Sequence, residues 1–340
     1  MFRILVLSII YATLVSEIRK WSIAGKNLGR TKSELMFMQT CQYGSWLEMV
    51  DLLRLAKCQF LHHKNSYLKL GPFKEELHSD KPYIVVFHDL LSNTEVEYLK
   101  EQAKPNLSRN RTYNGGLSGA VNYQEIKSGK ARKHIHKSVQ AWISEVEWPT
   151  LSSIKNWVGK NYIHMIHPIL WKLNQRISLA TQLVTNVHGS TSKLQVTNYG
   201  LAGICETHVD SMGIMEVDED HLRKTRPDFF VHGDVIATIM AWLSDTKAGG
   251  ATAFVSPGHE RTIFPEKGSA AFWYNLYSDG MVDKSTKHGG CPILKGSKWI
   301  LNRWIHSYDS FKNFPCHLKT FSRFKPPKSD CYHQTPISQR

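Results

Sequence analysis

His208-Val209-Asp210 sets an imidazole and a carboxylate two residues apart. In a β-strand, residues i and i+2 project from the same face, so both side chains can reach one metal ion. A second imidazole from a distant strand, His288 in the segment Asp283-Lys-Ser-Thr-Lys-His288-Gly-Gly-Cys291, would complete two histidines and one carboxylate on one face of the ion. That set leaves positions open for an organic ligand and O2, the arrangement of non-haem Fe(II) oxygenases. The His-x-Asp pair alone is a weak signal: a chain with 17 histidines produces such spacings by chance, as His88-Asp89 and His134-Ile-His136 illustrate. Beyond His288, Lys298 offers an ammonium on a flexible stem, a point-charge partner for the remote carboxylate of a dicarboxylate co-substrate. Trp299 and Trp304 beside it suit the wall of a site; the alternative is a solvated surface lysine.

The elements that would position these residues divide the chain into a helical first part and a β-rich second part. Ser45–Ala56 is helical in pattern. Tyr83-Ile-Val-Val-Phe87 reads as a strand, and Ser92-Asn-Thr-Glu95 as a capped helix start, with that helix stopping at Pro105. Residues 106–137 are polar, glycine-containing and basic and read as a loop, and helical pattern returns from Trp157 to Leu183. From Lys193 onward, short β-like segments are punctuated by glycine: 194–199, 235–243, 252–255, 270–274 and 298–304. Several short strands with Gly, Pro and Asp turns argue for a β-sandwich or barrel. The tail after Phe314 reads as frayed.

With 340 residues and 41% hydrophobic residues, the chain can bury a sizeable core without cross-links. A formal charge of +14 suits an acidic partner, but the basic residues are scattered, apart from Lys127–Lys137, and no nucleic-acid-binding motif accompanies them. Met1-Phe2-Arg3 followed by an apolar run from Ile4 to Val15 resembles a signal or anchor segment, shorter than the ~20 residues a membrane span needs, so no stable span is expected. The 6 cysteines form no CxxC pair or zinc-finger spacing. The sequons at Asn106 and Asn110 agree with secretion.

Residues 58–316 resemble the catalytic region of the collagen prolyl 4-hydroxylase α subunit, a family of Fe(II)/2-oxoglutarate dioxygenases. The resemblance rests on Tyr67-Leu-Lys-Leu-Gly-Pro-Phe-Lys-Glu-Glu-Leu77, Tyr83-Ile-Val-Val-Phe-His-Asp89, Leu194-Gln-Val-Thr-Asn-Tyr-Gly200 and Gly233-Asp-Val-Ile-Ala-Thr238. It continues through Ser244-Asp-Thr-Lys-Ala-Gly-Gly-Ala-Thr252, Phe272-Trp-Tyr-Asn-Leu276 and the stretch His288–His306. It implies an α+β, mainly β, fold: a double-stranded β-helix (jelly roll) with flanking helices. The implied division is a signal or anchor at 1–16, a short N-terminal region at 17–57, a helical flanking part at 58–192, the dioxygenase core at 193–308 and a tail at 309–340.

The resemblance also implies roles. His208, Asp210 and His288 match iron ligands, and Lys298 matches the lysine that binds the C5 carboxylate of 2-oxoglutarate. Tyr199 matches a tyrosine near the co-substrate, His306 a histidine assisting its binding and decarboxylation, and Trp304 a wall of the peptide groove. Cys291 and Cys316 match a disulfide pair. The implied reaction hydroxylates peptidyl proline at C4 with O2 and 2-oxoglutarate, releasing succinate and CO2, with L-ascorbate as the rescuing reductant. A proline-rich or collagen-like polypeptide would be the substrate, protein disulfide isomerase a partner, and the endoplasmic reticulum lumen the compartment.

Some positions depart from the family pattern. Cys205-Glu-Thr-His208 stands where the family has Tyr-Glu-Pro-His, placing a thiol toward the substrate side, and Ser211 replaces a phenylalanine. Fewer residues precede the match than the family's dimerisation and peptide-binding repeats require, and Ser152–Lys172 forms an extra helical segment. These departures keep two alternatives open: a catalytically silent binding module, and a dioxygenase acting on another peptidyl residue such as lysine.

Overall fold

The structure is a computed structural model that describes residues 32–43, 57–63, 65–109, 138–144, 167–185, 189–211, 229–258, 260–310, 314 and 321–324. The 1–16 segment, the 45–56 helix, the 127–137 basic stretch, residues 152–166 of the extra segment and Cys316 lie outside them.

Among the described residues, fifteen strands form the framework: β1 Lys57–Leu61, β2 Phe73–Asp80, β3 Tyr83–His88, β4 Ser108–Arg109, β5 Ser138–Ile143, β6 Leu194–Tyr199, β7 Cys205–His208, β8 Val235–Trp242, β9 Ala248–Gly249, β10 Thr252–Phe254, β11 Arg261–Ile263, β12 Ala270–Tyr274, β13 His288–Gly290, β14 Ile293–Lys295 and β15 Lys298–His306. Nine of them make one sheet in the order β1-β2-β3-β12-β8-β15-β6-β5-β4; a smaller sheet runs β11-β10-β13-β7, and β14 pairs β9. Their ladders are antiparallel. This is the jelly-roll core that the family resemblance implies.

Alternation along the central strands sorts the cores. Tyr83, Val85 and Phe87 of β3 and Ala270, Phe272 and Tyr274 of β12 face one way, toward α2 (Asn93–Ala103) and α3 (Pro168–Thr181), whose Val96, Leu99, Leu170, Leu173 and Ile177 complete that layer. The intervening residues Ile84, Val86, Ala271 and Trp273 face the other way. They join Met240 and Trp242 of β8 and Phe254 of β10 in the core between the two sheets. The main sheet is therefore covered on both sides, which is why the whole of β8 is buried. α2 begins as expected: Ser92 accepts from Glu95 N, and the Glu95 carboxylate accepts from Ser92 N at 2.8 Å.

Two expectations change here. The part expected to be helical, 58–192, contributes five strands, β1 to β5, to the main sheet, with β1 at one edge and β4 at the other. Phe73-Lys-Glu-Glu-Leu-His-Ser-Asp80 is too polar to show an alternating hydrophobic pattern. The tail, expected to be frayed, is docked at residues 321–324: Arg323 Nε donates to Asp283 Oδ2 at 3.0 Å, and Phe324 packs 5.1 Å from the Tyr274 ring. Among the described residues no helix is long and apolar enough to cross a membrane.

Phe254 fills the space between the sheets, 5.3 Å from Trp273 and 5.5 Å from His288, ring to ring. Phe254→Ala is expected to cost about 3–5 kcal/mol of stability, the range for deleting a buried aromatic ring, measured by urea unfolding.

Candidate metal and co-substrate site

The two histidines meet because of strand register. His208 ends β7 and His288 begins β13, and the two are direct partners in the β7/β13 ladder; their rings lie 4.5 Å apart. Asp210 follows two residues beyond His208 and turns its carboxylate to both. His208 Nε2 is 3.5 Å from Asp210 Oδ1, and His288 Nε2 is 3.7 Å from Oδ2. The three ligand atoms lie within 4.8 Å of one another.

Backbone carbonyls set the ring orientation. His208 Nδ1 donates to Glu206 O at 2.8 Å, and His288 Nδ1 donates to Thr286 O at 2.9 Å. A carbonyl can only accept, so each Nδ1 carries a hydrogen and each Nε2 lone pair is free to point inward, as a metal ligand requires. Burial alone would raise the Asp210 pKa. The facing His288 and His208 rings, imidazolium at the acid pH where a carboxylate titrates, and the Thr238 hydroxyl, at 2.8 Å, instead hold it below the usual carboxylate range. Two nitrogens and one carboxylate on one side of a common point are a donor set suited to Fe(II) with open coordination positions.

The same cavity contains an uncompensated cation. Lys298 opens β15, is 3% exposed, and donates to Thr252 Oγ1 at 3.1 Å; among the described residues no carboxylate pairs with it. Burial pushes the Lys298 ammonium down to about 8. A buried ammonium lacking a carboxylate partner fits an anionic ligand, and its place in the cavity with the triad fits a dicarboxylate such as 2-oxoglutarate. Tyr199 is the cross-strand partner of Lys298 and lines the same space.

Most of the residues singled out from sequence converge on this cavity: Tyr199, Cys205, His208, Asp210, His288, Cys291, Lys298 and Trp304 line it. Cys205 is buried and outside the disulfide, with Sγ 3.8 Å from His208 Nδ1. His306 is not brought to the cavity. Lys298, Ile300, Asn302 and Trp304 line it on alternate positions of β15, whereas His306, at the end of that strand, packs 5.8 Å from the His232 ring. The pairing of Cys291 with Cys316 is also replaced. Cys291 is bonded to Cys41, whose helix, α1 (Lys32–Tyr43), brings the two Cα atoms to 5.4 Å, within bridging distance.

Sequence reasoning missed the residues behind the ligands. Thr238 donates to Asp210 and itself accepts from Asn275 Nδ2 at 2.9 Å, and Thr252 holds Lys298. Polar residues within hydrophobic strands (Thr238 in Val235–Trp242, Asn275 just after Ala270–Tyr274) were the available clue, since a buried hydroxyl or amide needs a partner.

Residues 194–306 match the 2OG-Fe(II) oxygenase superfamily. Over 260 residues, 75% of this chain and 40% of the relative, the chain is 35% identical to prolyl 4-hydroxylase subunit alpha-1 of Mus musculus. It is 37% identical over 261 residues to prolyl 4-hydroxylase subunit alpha-1 of Gallus gallus, covering 75% of this chain and 42% of that one. It is 31% identical over 264 residues to prolyl 4-hydroxylase subunit alpha-3 of Homo sapiens, covering 76% and 40%. The chain thus spans 40 to 42% of the length of these relatives. Residues 194–306 are thus similar to the 2OG-Fe(II) oxygenase superfamily, and three quarters of the chain is similar to prolyl 4-hydroxylase alpha subunits.

Proposed function

We propose that this chain is a 2-oxoglutarate-dependent dioxygenase that hydroxylates peptidyl proline at C4, with His208, Asp210 and His288 holding Fe(II) and Lys298 binding the remote carboxylate of 2-oxoglutarate. The observation that carries the proposal is the buried, carboxylate-free Lys298 opening into the same cavity as the two-histidine, one-carboxylate set. Iron and 2-oxoglutarate together would supply the oxidising chemistry, consuming O2 and releasing succinate and CO2. L-ascorbate would serve as the rescuing reductant.

The chain's own residues bind, orient and exclude water. The Glu206 and Thr286 carbonyls hold the two imidazoles in one tautomer. Thr238, steadied by Asn275, fixes the Asp210 carboxylate. Lys298 and Thr252 set the far end of the co-substrate, with Tyr199 beside them. Trp304 and Cys205 form the wall that a proline-rich polypeptide would meet, and Trp142, 39% exposed and 6.0 Å from the Trp304 ring, extends it outward. The name prolyl 4-hydroxylase borne by the relatives supports proline as the target. The Cys41–Cys291 disulfide supports an oxidising compartment, for which we propose the endoplasmic reticulum lumen. Protein disulfide isomerase is the proposed partner; size exclusion with and without the isomerase checks it, and co-elution is expected.

Three results are expected. Incubated with Fe(II), labelled 2-oxoglutarate and a Pro-Pro-Gly repeat peptide, the protein releases CO2 and forms 4-hydroxyproline, and His208→Ala abolishes both. CO2 release without hydroxyproline would point to another substrate, and an unchanged His208→Ala would refute the metal assignment. Thr238→Val keeps the side-chain shape but removes the hydroxyl that holds Asp210. It is expected to weaken Fe(II) binding about 10–100-fold, measured by anaerobic calorimetry.

The third result concerns pH. Lys298 titrates near 8 in the ligand-free protein, below its ordinary 10.5, and a paired carboxylate favours its charged form. Binding 2-oxoglutarate above pH 8 therefore takes up a proton. Affinity is expected to be full below that pH and to fall as pH rises beyond it, as calorimetric titrations on either side would read. Lys298→Met should remove the dependence and cost about 2–5 kcal/mol of binding.

A further inference from the structure

The inner face of the smaller sheet carries the two histidines, and its outer face is covered by α1. Alternation defines the two faces: Thr252 and Phe254 of β10 point inward while Ala253 points outward, and His288 points inward while a Cβ at Gly289, whose backbone borders the cavity, would point outward toward α1. The outward residues Ala251, Ala253 and Gly289 are small, which lets the helix approach closely. Phe37 of α1 is buried against them, so near that a Cβ added at Gly289 would lie 2.9 Å from its ring. Cys41, one turn further along α1, is bonded to Cys291, the residue that follows β13.

β13 needs such support. It is three residues long, two of them glycine, and its ladder with β7 shifts register between His288 and Gly290. Glycines in a strand give up more backbone entropy on folding and offer no side chain for packing. On its β7 side the ladder therefore holds His288 weakly, with β10 pairing the other edge of the strand, although His288 must keep its nitrogen at a fixed distance from His208 and Asp210.

We propose that α1, seated through Phe37 and tethered by the Cys41–Cys291 disulfide, is a positioning element for the metal site, pressing the His288 strand against β7 so that the three ligand atoms stay within reach of one ion. The proposal rests on the reading of His208, Asp210 and His288 as metal ligands. Neither Phe37 nor Cys41 lines the cavity, so their influence passes through Gly289 and Cys291.

The test is titration of the full chain with Co(II) alone, read by calorimetry and by the visible ligand-field spectrum of the bound ion. The variants are Phe37→Ala, Phe37→Leu and the double substitution Cys41→Ser with Cys291→Ser, each also melted thermally. Wild type is expected to bind one Co(II) per chain. Phe37→Ala and the double variant are expected to bind it at least about tenfold more weakly with an altered spectrum, and Phe37→Leu to restore most of both. A purely structural role would lower the melting temperature and leave affinity and spectrum unchanged. If the variants match wild type in both readouts, the proposal is overturned while wild-type binding still supports the metal centre. A wild type that binds no Co(II) overturns the metal centre itself and the proposal with it. Where Phe37→Ala does not fold, the near-isosteric double serine variant decides.

Discussion

An ionised carboxylate as deeply buried as that of Asp210 must be compensated, because removing it from water without a partner costs many kcal/mol. Among the described residues, Asp210 faces two imidazole nitrogens at distances beyond a good hydrogen bond and receives a single short one, from Thr238. The arrangement leaves room at the centre for a cation bound by all three groups. The two sheets converge on this point. The smaller sheet supplies both histidines as ladder partners, and the main sheet supplies Thr238 from its middle strand, backed by Asn275 from just after the neighbouring strand. Displacement of either sheet would leave Asp210 with unpaired charge.

Lys298 presents the complementary problem. Its ammonium is as buried as the carboxylate, and they lie in one cavity without pairing with each other. Separated opposite charges, each poorly compensated, are costly to a fold and useful to a binding site. A metal ion answers the first and a remote carboxylate the second. An oxo-dicarboxylate acid can address both with a single molecule. The packing around them, with Trp273 4.7 Å from His288 and Phe254 behind, keeps water away and strengthens both electrostatic contacts.

Much of this was legible in the sequence, for identifiable reasons. His208 and Asp210 were readable because a strand has period two, and Lys298, Ile300, Asn302 and Trp304 line the cavity for the same reason. The central strands were readable from their continuous hydrophobicity, whereas β2 was not, because most residues of Phe73–Asp80 are polar. β13 could not be recognised as a strand from His-Gly-Gly, and only the ladder shows why His288 faces His208. The resemblance placed His306 in the site, whereas in the structure it packs against His232 at the end of β15. The resemblance also assigned Cys291 the wrong partner, since disulfide connectivity depends on which helix docks where and spacing carries no record of it.

The central claim is that triad and lysine form one site for a metal and a dicarboxylate. Anaerobic equilibrium dialysis of the protein against Fe(II) and labelled 2-oxoglutarate together tests it most directly. The account predicts that one of each is retained per chain, that each raises the occupancy of the other, and that Asp210→Ala abolishes the metal while Lys298→Met abolishes the 2-oxoglutarate. Retention of 2-oxoglutarate that is indifferent to the metal and to Lys298 would contradict it.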